Sequence, residues 1–171
     1  RLSGFRLRSE LELSFSERLP YGGASRMEEL GVWEVLFPGN HFGPVGRRTF
    51  RRLGVFRARI SKDFPDVRGK GWLGFLAALL MESPENIRLS ALNRVNLSES
   101  EREIVVKCFS ELRAIEHALG GRIGPSNSEI VACLREVNPV TALFWGAATE
   151  RWRVRRRILL YLTRLHKITP L

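Results

Sequence analysis

The run Trp72-Leu-Gly-Phe-Leu-Ala-Ala-Leu-Leu-Met81 is apolar on every side of a helix, and it constrains the fold more than any other part of the sequence. At about 3.6 residues per turn it offers water no polar stripe. A buried central helix over residues 72–82 is therefore expected, wrapped by other elements. The run is far short of the roughly 20 residues that span a bilayer, so what surrounds it is protein, and no membrane is expected as a partner.

The wrapping elements also read at the helical period. Ser3 can cap a first helix with Phe5, Leu11, Phe15 and Leu19 on its core side and Pro20 beyond its end. Tyr21-Gly22-Gly23 reads as a turn, followed by short helices over 25–30 and 32–37 that split at Gly31. Pro38-Gly39-Asn40 closes that unit. A long helix is expected over 44–64, ended by Pro65. Ser83-Pro84 opens the next, with Ser as cap and Pro in the first turn. Ser98-Glu99-Ser100-Glu101 and Ser126-Asn127-Ser128-Glu129 are capping boxes. The first leads a helix to Leu119, stopped by Gly120-Gly121, and the second a helix to Val137, interrupted by Asn138-Pro139. The remainder reads as helices over 140–148 and 150–166. No window alternates at the strand period, so the expected fold is all-α, an irregular array of about eight to ten helices without a sheet. Boundaries near 38 and 122 divide it into segments 1–38, 39–122 and 123–171.

With 171 residues, 44% of them hydrophobic and 27% charged, the chain can bury a core. Its net charge of +10 favours a polyanionic partner, because clustered cations bind phosphates and release counterions. The cations are nearly all Arg, Lys being confined to positions 62, 70, 107 and 167. Arg suits bidentate phosphate contacts and stacking, although genomic base composition produces the same skew. Cys108 and Cys133 are isolated and form no CxxC, which indicates neither a disulfide framework nor zinc and fits a reduced, cytoplasmic setting. No secretory signal stands at the amino end. The start at Arg1 without Met leads to the expectation that the chain is a piece of a longer one.

The sharpest functional signal lies in the helix over 44–64. Arg47, Arg48, Arg51, Arg52, Arg59 and Lys62 fall in one sector about 140° wide, with Val45, Phe50, Leu53, Phe56, Ile60 and Phe64 opposite. A solvated surface face looks similar, but Asp63 is the only acid nearby, and the alternating signs of a salt-bridged face are missing. The last helix repeats the pattern. Val154, Ile158, Tyr161, Leu162 and Leu165 share a stripe, and Arg153, Arg156, Arg157 and Arg164 lie opposite. Arg151 and Arg155 flank the stripe, where internal salt bridges or a ligand could claim them. Trp152 and Leu160 interrupt the basic face, as an aromatic platform for a base or as packing against a neighbouring helix.

Catalytic chemistry is not legible. Two-metal nucleotidyl transfer needs clustered carboxylates on a rigid element, whereas Asp63 and Asp66 are the only aspartates and stand in a Pro-containing turn. His41, His117 and His166 are far apart, and none pairs with a Cys or carboxylate at ligand spacing. Neither a P-loop nor a GxGxxG turn occurs. Gly120-Gly121-Arg122 follows a helix with no strand beside it, so helix termination explains it.

The opening Ser3-Gly4-Phe5-Arg6-Leu7-Arg8-Ser9-Glu10-Leu11, the stretch Met27-Glu-Glu-Leu-Gly-Val-Trp-Glu-Val-Leu-Phe-Pro38, and Arg157-Ile158 to Tyr161-Leu162 followed by Ile168-Thr-Pro-Leu171 carry a resemblance. In order and spacing they resemble the carboxy-terminal half of bacterial tRNA nucleotidyltransferases, the family of CCA-adding and A-adding enzymes and poly(A) polymerases. Phe5 stands where that family has an acid, and the family's closing Thr-Gly-x-Asp-Leu is not reached. The resemblance covers essentially the whole chain, most clearly 1–38 and 150–171.

It implies an all-helical neck (1–38), body (39–122) and tail (123–171) that hold the acceptor and T arms of tRNA. The implied partner on the same polypeptide is an amino-terminal catalytic head, with Mg²⁺ and CTP or ATP in that head and no cofactor in this chain. The family's metal carboxylates and its Glu-Asp-x-x-Arg motif have no match, so no catalytic or nucleotide-binding residue is carried over. The phosphate-contact candidates are Arg47, Arg48, Arg51, Arg52, Arg59, Arg153, Arg156, Arg157 and Arg164. A helical protein–protein adaptor and a helical DNA-binding regulator are the alternatives; a tRNA contact surface distinguishes the first reading from both.

Overall fold

Ser98 and Ser126 each accept the backbone N–H three residues on, and Glu101 and Glu129 each accept the N–H of the capping serine, so both capping boxes form. The computed structural model describes residues 3–18 and 20–167. Arg1, Leu2, Leu19 and the closing Ile168-Thr-Pro-Leu171 phrase lie outside the described residues. The described residues form twelve α-helices and no strand. These are α1 Gly4–Ser16, α2 Pro20–Glu29, α3 Val32–Leu36, α4 Pro44–Ile60, α5 Pro65–Lys70, α6 Trp72–Leu80, α7 Glu85–Arg94, α8 Glu99–Ser110, α9 Leu112–Ala118, α10 Asn127–Leu134, α11 Pro139–Ala148 and α12 Trp152–Thr163, with a 3₁₀ turn Leu165–Lys167 at the end.

Every residue of α6 is buried, as the apolar run requires. Its counterpart is α11, buried from Val140 to Ala148. The two pack on each other and share α4, α5 and α8 as neighbours, while α1 covers α6 and α12 covers α11. Small residues allow the close approach. Gly74 of α6 faces Val140 and Leu53, and a Cβ at Gly46 of α4 would stand 2.6 Å from the Ala78 carbonyl oxygen. Phe50 of α4 lies 4.7 Å from Phe75 of α6 and 5.3 Å from Phe15 of α1, so aromatic rings fill the junction of the three helices.

The sequence expected fewer helices because several boundaries depend on partners it does not show. The helix over 44–64 stops at Ile60. Phe64 is extended ahead of Pro65, as a pre-proline residue tends to be, and Pro65 then begins α5 instead of merely ending α4. The helix from Glu99 breaks at Glu111 into α8 and α9. Tyr21-Gly22-Gly23 is not a turn but lies inside α2. Two helical glycines cost about 1 kcal/mol each, offset here because Pro20 and Ala24 are buried and Trp33 donates its indole N–H to the Ala24 carbonyl at 3.0 Å.

Two side-chain expectations are corrected. Phe5 is 70% exposed: the buried stripe of α1 is Leu7, Leu11 and Phe15, and Phe5 stands about 120° from its centre. Ser83 does not cap α7, whose cap is Pro84; its buried hydroxyl donates to Asn40 Oδ1 at 2.7 Å and accepts the His41 N–H at 3.1 Å. The start of α4 is capped in an unforeseen way as well. Gly43 has no side chain to offer, and the Glu82 carboxylate accepts the Gly46 N–H at 2.7 Å, placing negative charge at the positive end of the helix.

Candidate nucleic-acid interface

The basic side of α4 divides into two rows, because residues four apart point the same way. Arg47 and Arg51 lean toward α2. Arg47 Nε donates to the Phe42 carbonyl at 2.8 Å and its Nη2 lies 3.5 Å from Glu28, while Arg51 donates to the Tyr21 hydroxyl at 2.6 Å with its guanidinium 4.2 Å from that ring's centre. Arg48 and Arg52 lean toward the bend between α11 and α12. Arg48 Nε reaches Glu150 at 3.0 Å, and Arg52 Nη1 reaches Glu150 at 3.3 Å and the Ala147 carbonyl at 3.2 Å. Arg59 is exposed, with no ion-pair partner among the described residues, and lines a shallow groove of about 440 Å³ with Arg18, Tyr21, Arg51 and Val55.

The Arg48 and Arg52 row of α4 meets Glu150 just ahead of α12, where Arg155, beside the apolar stripe of α12 and not on its basic face, lies nearby. Arg155 of α12 donates to the Thr149 carbonyl, beside Arg48 and Arg52. Two guanidiniums, Arg48 and Arg52, thus share one carboxylate, with the Arg155 charge close by. Burial raises the Glu150 pKa, but the Arg52 hydrogen bond and the charges of Arg52, Arg48 and Arg155 outweigh it and hold the carboxyl below its usual range. Arg155 is lowered, first by burial and then by the like charge of Arg52. Arg155 and Arg151, which donates to the Glu116 carbonyl, both serve internal contacts.

The basic face of α12 opens onto a separate groove of about 240 Å³ against α10. Trp152, Arg153, Arg156 and Arg157 line one side, and Pro125, Asn127 and Ile130 line the other. Trp152 is 58% exposed, and the Arg153 guanidinium lies 5.0 Å from its ring centre. Arg157 plays a different part from its neighbours. It donates to the carbonyls of Leu119 and Gly121 and so fixes the 119–125 loop that walls the groove. A Cβ at Gly124 would overlap its guanidinium. Arg164 is exposed at the carboxy-terminal cap of α12.

One functional-looking arginine escaped the sequence reading. Arg57 of α4 donates to the carbonyls of Phe15 and Glu17 at the end of α1, with its guanidinium 4.8 Å from the Phe75 ring centre and its pKa lowered by burial. It is structural. The histidine nearest to a role, His166, packs 4.5 Å from Phe64 and lies 3.1 Å from the Tyr161 carbonyl. Among the described residues no group of three His, Cys, Asp or Glu stands together as a metal site would require, and no helix is long and apolar enough to cross a membrane.

No protein-family model and no curated protein matches the sequence. Solved structures do match the fold. A CCA-adding enzyme complexed with ATP superposes with a TM-score of 0.73 at 20% identity, over 96% of this chain and 39% of that one. A CCA-adding enzyme complexed with CTP gives 0.72 at 22% identity, over 99% and 41%, and an apo form of a CCA-adding enzyme gives 0.72 at 20%, over 96% and 38%. The chain spans about two fifths of the length of these enzymes, and over nearly all of its own length it has the fold of that portion of them.

Proposed function

We propose that this chain is the RNA-holding helical part of a tRNA nucleotidyltransferase of the bacterial CCA-adding, A-adding and poly(A) polymerase family, seating the acceptor and T arms of tRNA in the cytoplasm for 3′-end addition by a catalytic head. The observation that carries this reading is the basic groove with an exposed tryptophan along α12, on a fold shared with CCA-adding enzymes. Guanidiniums beside a flat aromatic suit a polyanion that also presents bases. The sequence motifs of the neck-like (1–38) and tail-like (123–171) segments agree with it, with 39–122 as the body between.

The residues present do not fit the Mg²⁺ and nucleotide site of nucleotidyl transfer, which needs grouped carboxylates, so no chemical step is assigned to them. Within the reading, Arg153, Arg156, Arg164 and Arg59, which have no ion-pair partner among the described residues, are the phosphate contacts, and Arg157 shapes the groove. Arg48 and Arg52 contribute through the surplus positive charge around Glu150. Arg47 and Arg51 are partly occupied by Glu28 and Tyr21.

A competition assay tests the proposal. Unlabelled tRNA is expected to displace labelled tRNA from the chain at least tenfold more effectively than duplex DNA of equal length. Equal competition favours the DNA-binding regulator, and no binding of either favours the protein–protein adaptor.

A further inference from the structure

The groove between α10 and α12 has a composition that phosphate binding alone does not explain. The chain has four tryptophans, and Trp33, Trp72 and Trp145 are each 1% exposed, whereas Trp152 is 58% exposed. Leaving a large indole in water forfeits burial that would otherwise stabilise the fold. Its surroundings are cationic. Trp152 and Arg156 occupy one i,i+4 row of α12, and Arg153 and Arg157 occupy the next. Asn127 adds an amide from the opposite wall, with donors and an acceptor for a base edge. At about 240 Å³ the groove falls just below the roughly 300–1,000 Å³ of ordinary ligand pockets. That is room for a single base.

A base-paired helix presents phosphates and groove edges and hides its base faces, whereas an unpaired nucleotide exposes a face for stacking. We infer that the α10–α12 groove is a subsite for one unpaired nucleotide of a bound RNA, its base stacked on Trp152 and its phosphates held by Arg153 and Arg156. This rests on the RNA-binding reading above and adds to it a distinction between paired and unpaired segments. Arg157 and Gly124 act as positioning residues, since the Arg157 contacts to Leu119 and Gly121 hold the loop that closes the groove.

Intrinsic fluorescence tests it, because the exposed Trp152 is the tryptophan that iodide can reach. Two probes of equal length are titrated, an RNA hairpin with an unpaired 3′ overhang and a blunt RNA duplex. The overhang RNA is expected to quench the Trp152 emission and shield it from iodide, and the blunt duplex to leave it unchanged. W152L should weaken overhang binding by about 5- to 100-fold, with W152F retaining most of the affinity and duplex binding unaltered. Unchanged emission and unchanged W152L affinity while the overhang RNA is bound overturns the subsite and leaves the RNA-binding reading standing. Equal quenching by the blunt duplex overturns the selectivity for an unpaired nucleotide. Absence of binding to tRNA and to either probe overturns both readings.

Discussion

Glu150 accepts the Arg48 guanidinium at 3.0 Å across 102 positions of sequence, and this ion pair ties the basic side of α4 to the start of α12. Because Arg52 and Arg155 crowd the same carboxylate, Glu150 is the anion that an RNA phosphate would have to rival there. Replacing Glu150 with Gln removes the rival. RNA affinity is expected to rise by about two- to fivefold at moderate salt, with a steeper dependence of log K on log salt. Filter binding at several salt concentrations checks both.

The same carboxyl gives a pH dependence. Its folded pKa lies below the usual range, so its contribution to stability is fully present above the unfolded value of about 4.3 and is lost as pH falls through the lower folded value. The contribution is small, since both Glu150 and Arg48 are substantially exposed. Thermal melts between pH 6 and pH 3 are expected to show the E150Q variant losing less stability than the parent chain in the acid part of that window.

Arg8 and Glu101 form a better-shielded pair, 2.6 Å apart, with the Glu101 side chain 7% exposed. Glu101 also closes the capping box of α8 by accepting the Ser98 N–H. Glu101→Ala leaves Arg8 without its partner and removes half of the box, and is expected to cost about 2–4 kcal/mol in urea unfolding. Arg8→Lys should cost less.

The approach of α4 to α6 is tested at Gly46. An alanine there places its methyl against the Ala78 carbonyl and displaces a backbone that is packed on both sides. G46A is expected to destabilise by about 1–3 kcal/mol, whereas alanine at the unobstructed Gly54 of the same helix should stabilise by about 0.5–1 kcal/mol.

The two cysteines report on the packing of α8. Cys108 is buried and its thiol is pushed up strongly by desolvation, while Cys133 is exposed. DTNB is expected to titrate one thiol per native chain and two after denaturation. A C133S variant should show none before unfolding.

What the sequence revealed and what it hid follow from the reach of each interaction. The capping boxes at Ser98 and Ser126, the buried run of α6 and the apolar stripe of α12 are set by neighbours within a few residues, so pattern alone located them. The two basic faces were visible for the same reason. Their partners were not: the acids that meet α4, Glu28 and Glu150, arrive from other elements, and the carbonyls that hold Arg57 and Arg157 belong to the end of α1 and the loop after α9. Ser83 reads as a cap and is instead drawn off by Asn40, some forty residues upstream. The core positions of α1 were misjudged at Phe5 because Leu7, not Phe5, continues the stripe of Leu11 and Phe15.

The most direct measurement is the salt dependence of tRNA binding, by anisotropy, for the parent chain and for an R153E/R156E variant. Both residues are exposed at the groove, and neither has an ion-pair partner among the described residues, so the fold should tolerate the change. The account predicts that the magnitude of the slope of log K against log salt falls by about two units in the variant, with a large loss of affinity at low salt and an unchanged melting temperature. An affinity and slope equal to those of the parent chain would contradict it.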